Sequence, residues 1–359
     1  MEDRKEWKTG EKSDIEIRNL SVSFQDGGET VHAMEGVNAY FPVGSVTGLI
    51  GESGSGKSLL GMSILGLLSG QARVDGTCMY KGMDLYRLPE KEMQEIRGKE
   101  ISLIPQNPTE SLNPIRRIGK QLTECMNVHG NKDKQLADTR RDEFLRRFGF
   151  PDPDRINRSY SFQLSGGMNQ RVISAMGLMN RPKWVIADEP TKGLDAILRR
   201  QVYQILKEIS ETDTEGMIVI THDIALAEAL CDRLMVLYKG SIMEAGDTKT
   251  ILEHPAHPYT KGLVASLPAK GMNPIGRAVR KNEGNSGCSF YPRCPYAADA
   301  CKNGPVPEAE LPDLGAQAHA QSLLSFHSSQ VWNRQKKIRE RAKLRPRAWG
   351  MGLEPGSRR

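Results

Sequence analysis

The stretch "GLIGESGSGKS", residues 48–58, decides the fold because it sets a phosphate-binding loop directly after a short apolar run. Residues 51–58 match the pattern G-x-x-x-x-G-K-S. The run "SVTGLIG" that leads into the loop predicts a buried strand, and "KSLLGMSILGLL" after it has the apolar spacing of a helix. Glycines let successive backbone N–H groups converge on phosphate oxygens, and the helix N-terminus adds positive potential. The stretch therefore predicts a strand, loop and helix that hold a nucleotide.

Two side chains of the loop carry chemistry of their own. Lys57 supplies a point charge to the β and γ phosphates, and Ser58 offers a hydroxyl to Mg²⁺. A second apolar run, "WVIADEP" (184–190), delivers Asp188 and Glu189 at its carboxyl end, where open α/β sheets bind ligands. Asp188 is predicted to hold Mg²⁺, directly or through water, and Glu189 to polarise the water that attacks the γ-phosphate.

The segments that flank the phosphate loop and the acidic strand have the residue pattern of an α/β sheet. "EISLIPQ" (100–106), "GMIVITHD" (216–223) and "DRLMVLYKG" (232–240) are short and apolar, as buried parallel strands are. "DIEIRNLSVSF" (14–24) alternates apolar and polar residues and predicts an antiparallel β start. The charged segments between 107 and 180 predict a helical insert. The fold class is thus an α/β P-loop NTPase with a mixed-sheet core, an antiparallel β subdomain and a helical insert.

Composition and charge place the chain among globular proteins. It has 359 residues, of which 38% are hydrophobic and 26% charged. No run approaches the ~20 apolar residues of a membrane span, and the scattered Cys78, Cys125 and Cys231 do not indicate a disulfide framework. Residues 331–359 contain ten lysines and arginines and two glutamates, so this tail has a charge of +8. The whole chain has a net charge of +6, which leaves −2 for residues 1–330. We expect a cytoplasmic protein whose membrane role is peripheral. The basic tail is interpreted as a solvated end, with contact to anionic lipid or nucleic acid as the alternative, and no nucleic-acid partner is expected.

A third motif brings a family resemblance. "LSGGMNQR" (164–171) resembles the signature motif of ABC ATPases, and it stands shortly before the acidic strand, as it does in that family. Ser165 and the N–H groups of Gly166 and Gly167, at a helix start, form a second anion cradle. The resemblance implies an ABC-type fold in which this cradle faces the γ-phosphate of ATP bound to a partner subunit, so that two ATP molecules join two domains head to tail.

The resemblance implies roles for further residues. By this resemblance Gln106 would sense Mg²⁺ and the attacking water, and His222 would contact the γ-phosphate and orient the catalytic carboxylate. Phe24 would stack on adenine, although it also fits the simple alternation of a core strand. Asp195 matches the aspartate of a loop that contacts the other subunit, although Lys192 and Gly193 depart from that loop's common small pair. The implied ATP contacts are Phe24, Gly51, Ser53, Gly54, Ser55, Gly56, Lys57, Ser58 and Leu59, the Mg²⁺ ligands are Ser58, Gln106 and Asp188, and the catalytic residues are Lys57, Gln106, Glu189 and His222.

Three other stretches narrow the resemblance. "NPTESLNP" (107–114), "HPAHPYTKGLVASLP" (254–268) and "GCSFYPRCPYAADAC" (287–301) are similar to the ATP-binding subunits of oligopeptide, dipeptide and nickel importers. This implies an ATP-hydrolysing subunit on the cytoplasmic face of the membrane, paired with a second, paralogous ATPase subunit and with two permease subunits, and serving a solute-binding protein indirectly. The long C-terminal region favours peptide over nickel as cargo.

Other functions fit parts of the sequence. A nickel or metal-chelate importer ATPase and a soluble ABC ATPase of a carbon-phosphorus lyase complex remain as alternatives. A DNA-repair ATPase would need a long coiled-coil insert and a translation factor two ATPase halves, and neither pattern is present. A binding module with an inactive site is disfavoured by Lys57, Asp188, Glu189 and His222.

Cys288, Cys294 and Cys301 pose a separate question. Their spacing is neither that of a zinc finger nor that of a ferredoxin. The resemblance implies a [4Fe-4S] cluster, but "LLSFHSSQ" (323–330) has Ser325 and Phe326 where the fourth cysteine is expected. His319, His327, an external thiolate or water are the alternatives for the fourth ligand, and a lost cluster with three buried thiols is the other interpretation.

The predicted domain organisation follows from these patterns. An N-terminal tail covers 1–13, the ABC ATPase domain 14–267 with its helical insert at about 107–180, an oligopeptide-transporter-type C-terminal region 268–330, and a basic tail, expected to be disordered, 331–359.

Overall fold

The computed structural model describes residues 13–267, 271, 276 and 287–303, together with the backbone of two short strands at 308–310 and 319–321. The strands are β1 (Ile15–Asp26), β2 (Glu29–Phe41), β3 (Val46–Ile50), β4 (Ala72–Tyr80), β5 (Met83–Asp84), β6 (Ile101–Ile104), β7 (Trp184–Asp188), β8 (Gly216–Ile220), β9 (Arg233–Tyr238), β10 (Ser241–Asp247), β11 (Glu308–Glu310) and β12 (His319–Gln321). The helices are α1 (Lys57–Ile64), α2 (Glu90–Ile96), α3 (Pro108–Ser111), α4 (Ile118–Asn127), α5 (Lys134–Arg147), α6 (Pro153–Arg158), α7 (Gly166–Gly177), α8 (Ala196–Thr212), α9 (Ile224–Leu230), α10 (Thr248–Glu253) and α11 (Pro258–Ala265).

The larger sheet has the strand order β11-β12-β10-β9-β3-β8-β7-β6. The five strands β9, β3, β8, β7 and β6 run parallel to one another, which confirms the parallel core predicted from the apolar runs. Every residue of β3, β7 and β8 is buried, because side chains of α1, β1 and β2 pack on one face and those of α7 and α8 on the other, and this is why these strands read as continuous apolar runs. Strand β10 pairs antiparallel with β9 and makes the sheet mixed.

The smaller sheet is antiparallel, with the order β2-β1-β4-β5, and it confirms the predicted antiparallel start. Ile15 and Ile17 are buried, and the burial resumes at Leu20 and Val22 after a shift in register. Asn19 lies at the shift with a φ of 51°, a left-handed conformation that asparagine tolerates. This bulge puts both halves of the alternating pattern on the same buried face.

Helix α1 is shorter than the apolar pattern predicts. It ends at Ile64, and Gly66 follows with a φ of 59°. The N–H of Gly66 donates to the carbonyl of Ser63, which closes the last turn, and Leu67 is left 44% exposed.

The stretch 107–180 contains α3 to α7. Its apolar side chains, among them Phe144, Phe148 and Phe150, belong to one core cluster with the sheet residues Val185, Ala187 and Val219. The helical stretch is therefore packed on the sheet that carries the acidic pair.

The C-terminal residues 287–303 form a closed loop. The N–H groups of Gly287 and Cys288 donate to the carbonyls of Lys302 and Cys301, at 3.1 Å each. A Cβ at position 287 would collide with the Cys301 carbonyl, so this closure requires glycine. No helix in the part of the chain that the structure describes has the length and apolar character to cross a bilayer. Residues 1–12, the basic tail 331–359 and the segment 325–327 lie outside the described residues.

Candidate functional site

The predicted site residues meet at one edge of the larger sheet. Gln106 follows β6, Asp188 ends β7, His222 follows β8, and the loop 51–56 follows β3. These four strands are neighbours in the order β6-β7-β8-β3 and run parallel, so their carboxyl ends lie side by side. Residues more than 160 positions apart in the chain are brought together in this way.

The phosphate loop is shaped by two glycines. Gly51 has a φ of 153°, and a Cβ there would collide with the carbonyl oxygen of Leu237 on β9. Gly56 has a φ of 101°, in the left-handed region, and directly precedes α1. The loop is also tied to the β9–β10 turn, because the N–H of Gly240 donates to the Ser55 carbonyl at 2.9 Å.

Lys57 is buried, with 7% of its surface exposed. Its Nζ donates to the carbonyls of Gly51 and Glu52 at 2.9 Å each and to Ser55 Oγ at 3.4 Å. Burial lowers the pKa of the Lys57 ammonium, and the carboxylates of Glu189, Asp188 and Glu52 act against this shift. The lysine is therefore a buried cation inside the loop that is predicted to bind phosphate.

Asp188 has the environment of a cation ligand. The carboxylate is 5% exposed, and Oδ1 is buried with no hydrogen-bond partner among the described residues. Burial raises the pKa of Asp188, while a hydrogen bond from the Ser58 hydroxyl and the Lys57 charge act against the rise. Because Mg²⁺ prefers carboxylate and hydroxyl oxygens, an orphaned carboxylate oxygen beside Ser58 fits the predicted Mg²⁺ site.

Glu189 and His222 form a hydrogen-bonded pair. Glu189 Oε1 lies 2.7 Å from His222 Nδ1 and accepts the His222 backbone N–H at 3.0 Å. Since Oε1 is an acceptor, Nδ1 is the protonated nitrogen of this contact. Glu189 is 7% exposed and has a φ of 46°, a strained conformation that costs roughly 1–3 kcal/mol in a residue other than glycine. The strain turns the carboxylate from the end of β7 toward His222.

A groove of about 550 Å³ opens beside the loop. It is lined by His32, Ala33, Gly54, Ser55, Gly56, Lys57, Ser58, Leu59, Lys239 and Gly240. A second cavity, of about 530 Å³, lies among α4, α5 and α6 and contains none of the predicted ATP contacts. The groove at the loop is the candidate nucleotide site because the phosphate-binding backbone and the buried Lys57 line it, and Asp188 is hydrogen-bonded to Ser58 of its lining.

Three predicted ATP contacts, Phe24, Gly51 and Ser53, do not line this groove. Phe24 is half-buried against the core of the antiparallel sheet and pairs with Val31 and Ala72 across the strands. Ser53 is exposed at the tip of the loop. The groove is also lined by four residues that the sequence patterns did not predict, His32, Ala33, Lys239 and Gly240. They come from β2 and from the β9–β10 turn, and neither segment carries a nucleotide-binding motif. Adenine stacking by Phe24 stays a prediction.

The signature residues begin α7. Ser165 is the N-cap, and its Oγ accepts the N–H of Met168 at 3.3 Å, while Ser165 and Gly166 are exposed. A Cβ at Gly167 would come within 3.1 Å of Leu194, so glycine keeps this turn close to the 191–195 loop. Asp195 caps α8 by accepting the N–H groups of Ile197 and Leu198. These residues lie outside the groove lining, as expected for groups that would act on a partner's nucleotide.

The cysteine segment is a packed thiol cluster. Cys288, Cys294 and Cys301 are each 5% exposed or less, and none of the six cysteines, all of which fall in the described part of the chain, forms a disulfide. Burial raises the pKa of the Cys288 thiol to about 11, with a further contribution from Cys294 and Cys301. These thiols are near one another, yet the described residues form no group of three ligands placed to hold a metal ion. His319 is described only by its backbone in β12, and His327 lies outside the described residues.

Comparison with known proteins identifies the family. The family "ABC transporter" matches residues 34–192, and "Oligopeptide/dipeptide transporter, C-terminal region" matches 243–301. The oligopeptide transport ATP-binding protein OppD of Haemophilus influenzae is 37% identical over 81% of this chain and 92% of its own length. The dipeptide transport ATP-binding protein DppD of Escherichia coli is 37% identical over 80% of this chain and 90% of its own. The chain belongs to the ATP-binding proteins of oligopeptide and dipeptide ABC transporters. The prediction of an ABC-type ATPase is confirmed.

Solved structures agree with this assignment. The dimeric post-hydrolysis state of the ATP-binding cassette MJ0796, bound to ADP and Pi, is 26% identical with a TM-score of 0.60, and it covers 65% of this chain and 98% of its own. A structure of an ATP-binding subunit of an ABC transporter is 25% identical with a TM-score of 0.55, and it covers 67% of this chain and 92% of its own. This ABC protein therefore has the cassette fold, and ATP and Mg²⁺ are the ligands of its nucleotide site.

Proposed function

We propose that the protein hydrolyses ATP as the energy-coupling subunit of an ABC importer for oligopeptides or dipeptides. The 2.7 Å contact between Glu189 and His222, beside the buried Lys57 and the orphaned Asp188 oxygen, carries the catalytic part of this proposal. The match of residues 243–301 to the oligopeptide/dipeptide C-terminal region, together with relatives named for peptide transport, supports the cargo class. No feature of the site favours nickel or a carbon-phosphorus lyase.

The chemistry follows from the two oxygens of Glu189. Both described contacts of this carboxylate use Oε1, which leaves Oε2 to accept a proton from the attacking water. The water oxygen forms a bond to the γ-phosphorus, the bond to the bridging oxygen of ADP breaks, and phosphate leaves. His222 holds the carboxylate, Lys57 offsets phosphate charge, and Gln106 lies at the neighbouring strand end. Mg²⁺, held by Ser58 and Asp188 with Gln106, would neutralise charge on the β and γ phosphates.

A dimer is part of the proposal. The signature residues Ser165 and Gly166 are exposed and outside their own groove, so a partner's ATP is the ligand they suit. Phe162 and Ile197, near the signature turn and at the start of α8, are 72% and 74% exposed. Apolar side chains of this size on a surface favour a protein contact. We propose that the second subunit is a paralogous ATPase.

The membrane partners are proposed to bind at the helical insert. Ile115, in the loop between α3 and α4, is 84% exposed, and the loop is held rigid because Gln121 accepts the N–H of Asn113 and donates to the carbonyls of Asn113 and Arg116. A rigid loop with an exposed apolar tip suits a short helix of a permease subunit. The protein would then lie on the cytoplasmic face of the membrane with two permease subunits and would serve a solute-binding protein indirectly. The domain limits 14–267 and 268–330 belong to the same proposal.

The catalytic proposal is tested by two variants. Lys57→Ala is expected to abolish ATP binding, because it removes the buried cation whose Nζ contacts the carbonyls of the phosphate loop. Glu189→Gln is expected to keep ATP binding, stop turnover and trap a dimer, measured by phosphate release and by light scattering with and without Mg·ATP. Normal hydrolysis by Glu189→Gln would show that this carboxylate is not the base.

The transport proposal needs the complex. The chain is co-expressed with its two permease subunits and second ATPase subunit and reconstituted in vesicles with the solute-binding protein. We expect ATP-dependent uptake of short peptides and none of Ni²⁺. Uptake of Ni²⁺ without peptide uptake would replace the cargo class and leave the ATPase assignment in place.

The iron-sulfur hypothesis is kept as a proposal from family resemblance. The described residues do not fit it, because they offer three buried thiols and no complete ligand group. Anaerobic purification followed by iron analysis and absorption near 400 nm decides the matter. A colourless, iron-free protein would leave the segment with a packing role alone.

A further inference from the structure

The cysteine segment is packed against the strand that supports the phosphate loop. Phe290, from this segment, forms a ring cluster with Tyr238 at the end of β9 and Tyr259 in α11. The ring centroids are 4.7–5.4 Å apart, and all three residues are at most 3% exposed. Such packed aromatic clusters fix the relative position of the elements that carry them. The C-terminal region is therefore held at the edge of the nucleotide site.

Two polar contacts extend from this cluster to Glu52, the second residue of the phosphate loop. The Tyr259 hydroxyl accepts the Glu52 backbone N–H at 3.0 Å. Arg293 Nη1 lies 3.1 and 3.0 Å from the two oxygens of the Glu52 carboxylate. The arginine is itself held, since Nε donates to the Gly276 carbonyl at 3.1 Å and its guanidinium lies 5.7 Å from the Tyr238 ring centre.

Glu52 is thus fixed through every polar group it has. Its N–H is bound by Tyr259, its carbonyl by Lys57 Nζ at 2.9 Å and its carboxylate by Arg293. The next residues, Ser53 and Gly54, are exposed, and nothing lies within 4 Å of a Cβ built at Gly54. The tip of the loop therefore depends on its base for position. A loop that is already ordered binds its ligand with a smaller entropy loss than one that must be ordered on binding.

We propose that Arg293 and Tyr259 are positioning residues for the phosphate loop, so that the C-terminal cysteine segment sets the affinity of the ATP site. They lie outside the groove lining and act through Glu52. Because the Glu52 carboxylate is 41% exposed, solvent screens the ion pair and the effect is modest. Loss of the pair is expected to weaken nucleotide binding about twofold to fivefold.

The test uses the full chain and methylanthraniloyl-ADP with Mg²⁺ as the probe, titrated by fluorescence. Arg293→Gln keeps the side-chain stem and removes the charge, and it should raise the Kd about twofold to fivefold, while Arg293→Lys should recover part of the loss. The kcat at saturating ATP should not change, so the defect appears in KM. Arg73→Ala, which breaks the exposed Arg73–Asp75 pair on β4, is the matched control and should leave both constants unchanged.

A double-mutant cycle separates positioning from loss of packing. If Arg293 acts through Glu52, then Arg293→Gln has no further effect on the Kd in a Glu52→Ala background. The proposal is overturned if Arg293→Gln leaves the Kd unchanged, whether or not it lowers the melting temperature. It is also overturned if Arg293→Gln raises the Kd equally in the wild type and in the Glu52→Ala variant. Tyr259→Phe, which removes only the hydroxyl, should raise the Kd in the same direction. A wild-type chain that failed to bind the probe would contradict the ATPase assignment itself and not this inference.

Discussion

His257 makes a specific prediction about acid stability, because it is a buried neutral histidine. It caps α11, where its Nδ1 accepts the N–H of Tyr259 at 3.1 Å, and only 1% of its surface is exposed. Burial lowers the pKa of His257 to about 3, and the charge of Lys261 contributes to the shift. In the unfolded chain the imidazole takes up a proton below pH 6.5, whereas in the folded protein it does not until about pH 3.

The difference between the folded and unfolded pKa of His257 determines the sign and the size of the change in stability with pH. A histidine with a lowered pKa stabilises the fold fully above pH 6.5, and the contribution is lost as the pH falls from 6.5 toward 3. At pH 4.5 the linkage amounts to about 2–3 kcal/mol. For a domain of this size that is about 5–10 °C in melting temperature.

The measurement compares the wild type with His257→Asn in thermal melts at pH 7 and pH 4.5, without nucleotide. Asparagine keeps an acceptor for the Tyr259 N–H but cannot titrate. The variant is expected to be less stable at pH 7 through lost packing, yet to lose about 5–10 °C less than the wild type on acidification. Glu244, whose carboxylate accepts the His257 backbone N–H and whose pKa is raised by burial, is present in both proteins and drops out of the comparison to first order.

The matched control is His254→Asn, three residues upstream, where the histidine is exposed. It should change neither melting temperature nor acid sensitivity. If the wild type and His257→Asn lost the same number of degrees between pH 7 and 4.5, the imidazole would already be charged in the folded protein. The reasoning from burial would then be refuted.

Three further predictions concern the ATP site. Asp188→Asn should raise the melting temperature of the nucleotide-free protein by about 2–4 °C, since it removes a buried charge whose Oδ1 has no hydrogen-bond partner among the described residues, and should abolish Mg²⁺-dependent phosphate release; a lower melting temperature would contradict this. His222→Ala should keep ADP affinity and lower kcat about 100-fold or more, and an unchanged kcat would show that the contact with Glu189 does not orient the base. Gly51→Ala should give little soluble, ADP-binding protein, because its Cβ would meet the Leu237 carbonyl; normal yield and affinity would argue against the loop geometry.

The sheet and the acidic edge could be predicted from sequence because their signals are local. Strands β3, β7 and β8 are buried at every residue, so each appears as an unbroken apolar run, and the functional residues follow directly at the strand ends. The position of the phosphate loop, the acidic pair and His222 follows from this pattern without knowledge of the strand order.

Other features depend on contacts that no local pattern encodes. The bulge at Asn19 and the end of α1 before Gly66 each rest on a single left-handed residue. The groove lining by Ala33 and Gly240 arises because β2 and the β9–β10 turn come close together, where a Cβ at Gly240 would collide with the Ala33 carbonyl. Neither sequence segment carries a nucleotide-binding motif.

The cysteine segment is the clearest case of such a long-range effect. Its cysteines suggested metal chemistry, but the residue between them that reaches the ATP site is Arg293, which is separated from Glu52 by 241 positions in the chain. The three cysteine side chains are buried, and the backbone N–H of Cys288 donates to the Cys301 carbonyl, which closes the loop that presents this arginine. The ion pair between Arg293 and Glu52 is weak, whereas the ring cluster of Phe290, Tyr238 and Tyr259 is strong. A substitution at the cysteines would therefore shift Arg293 and change the nucleotide affinity before it lowered the stability of the fold.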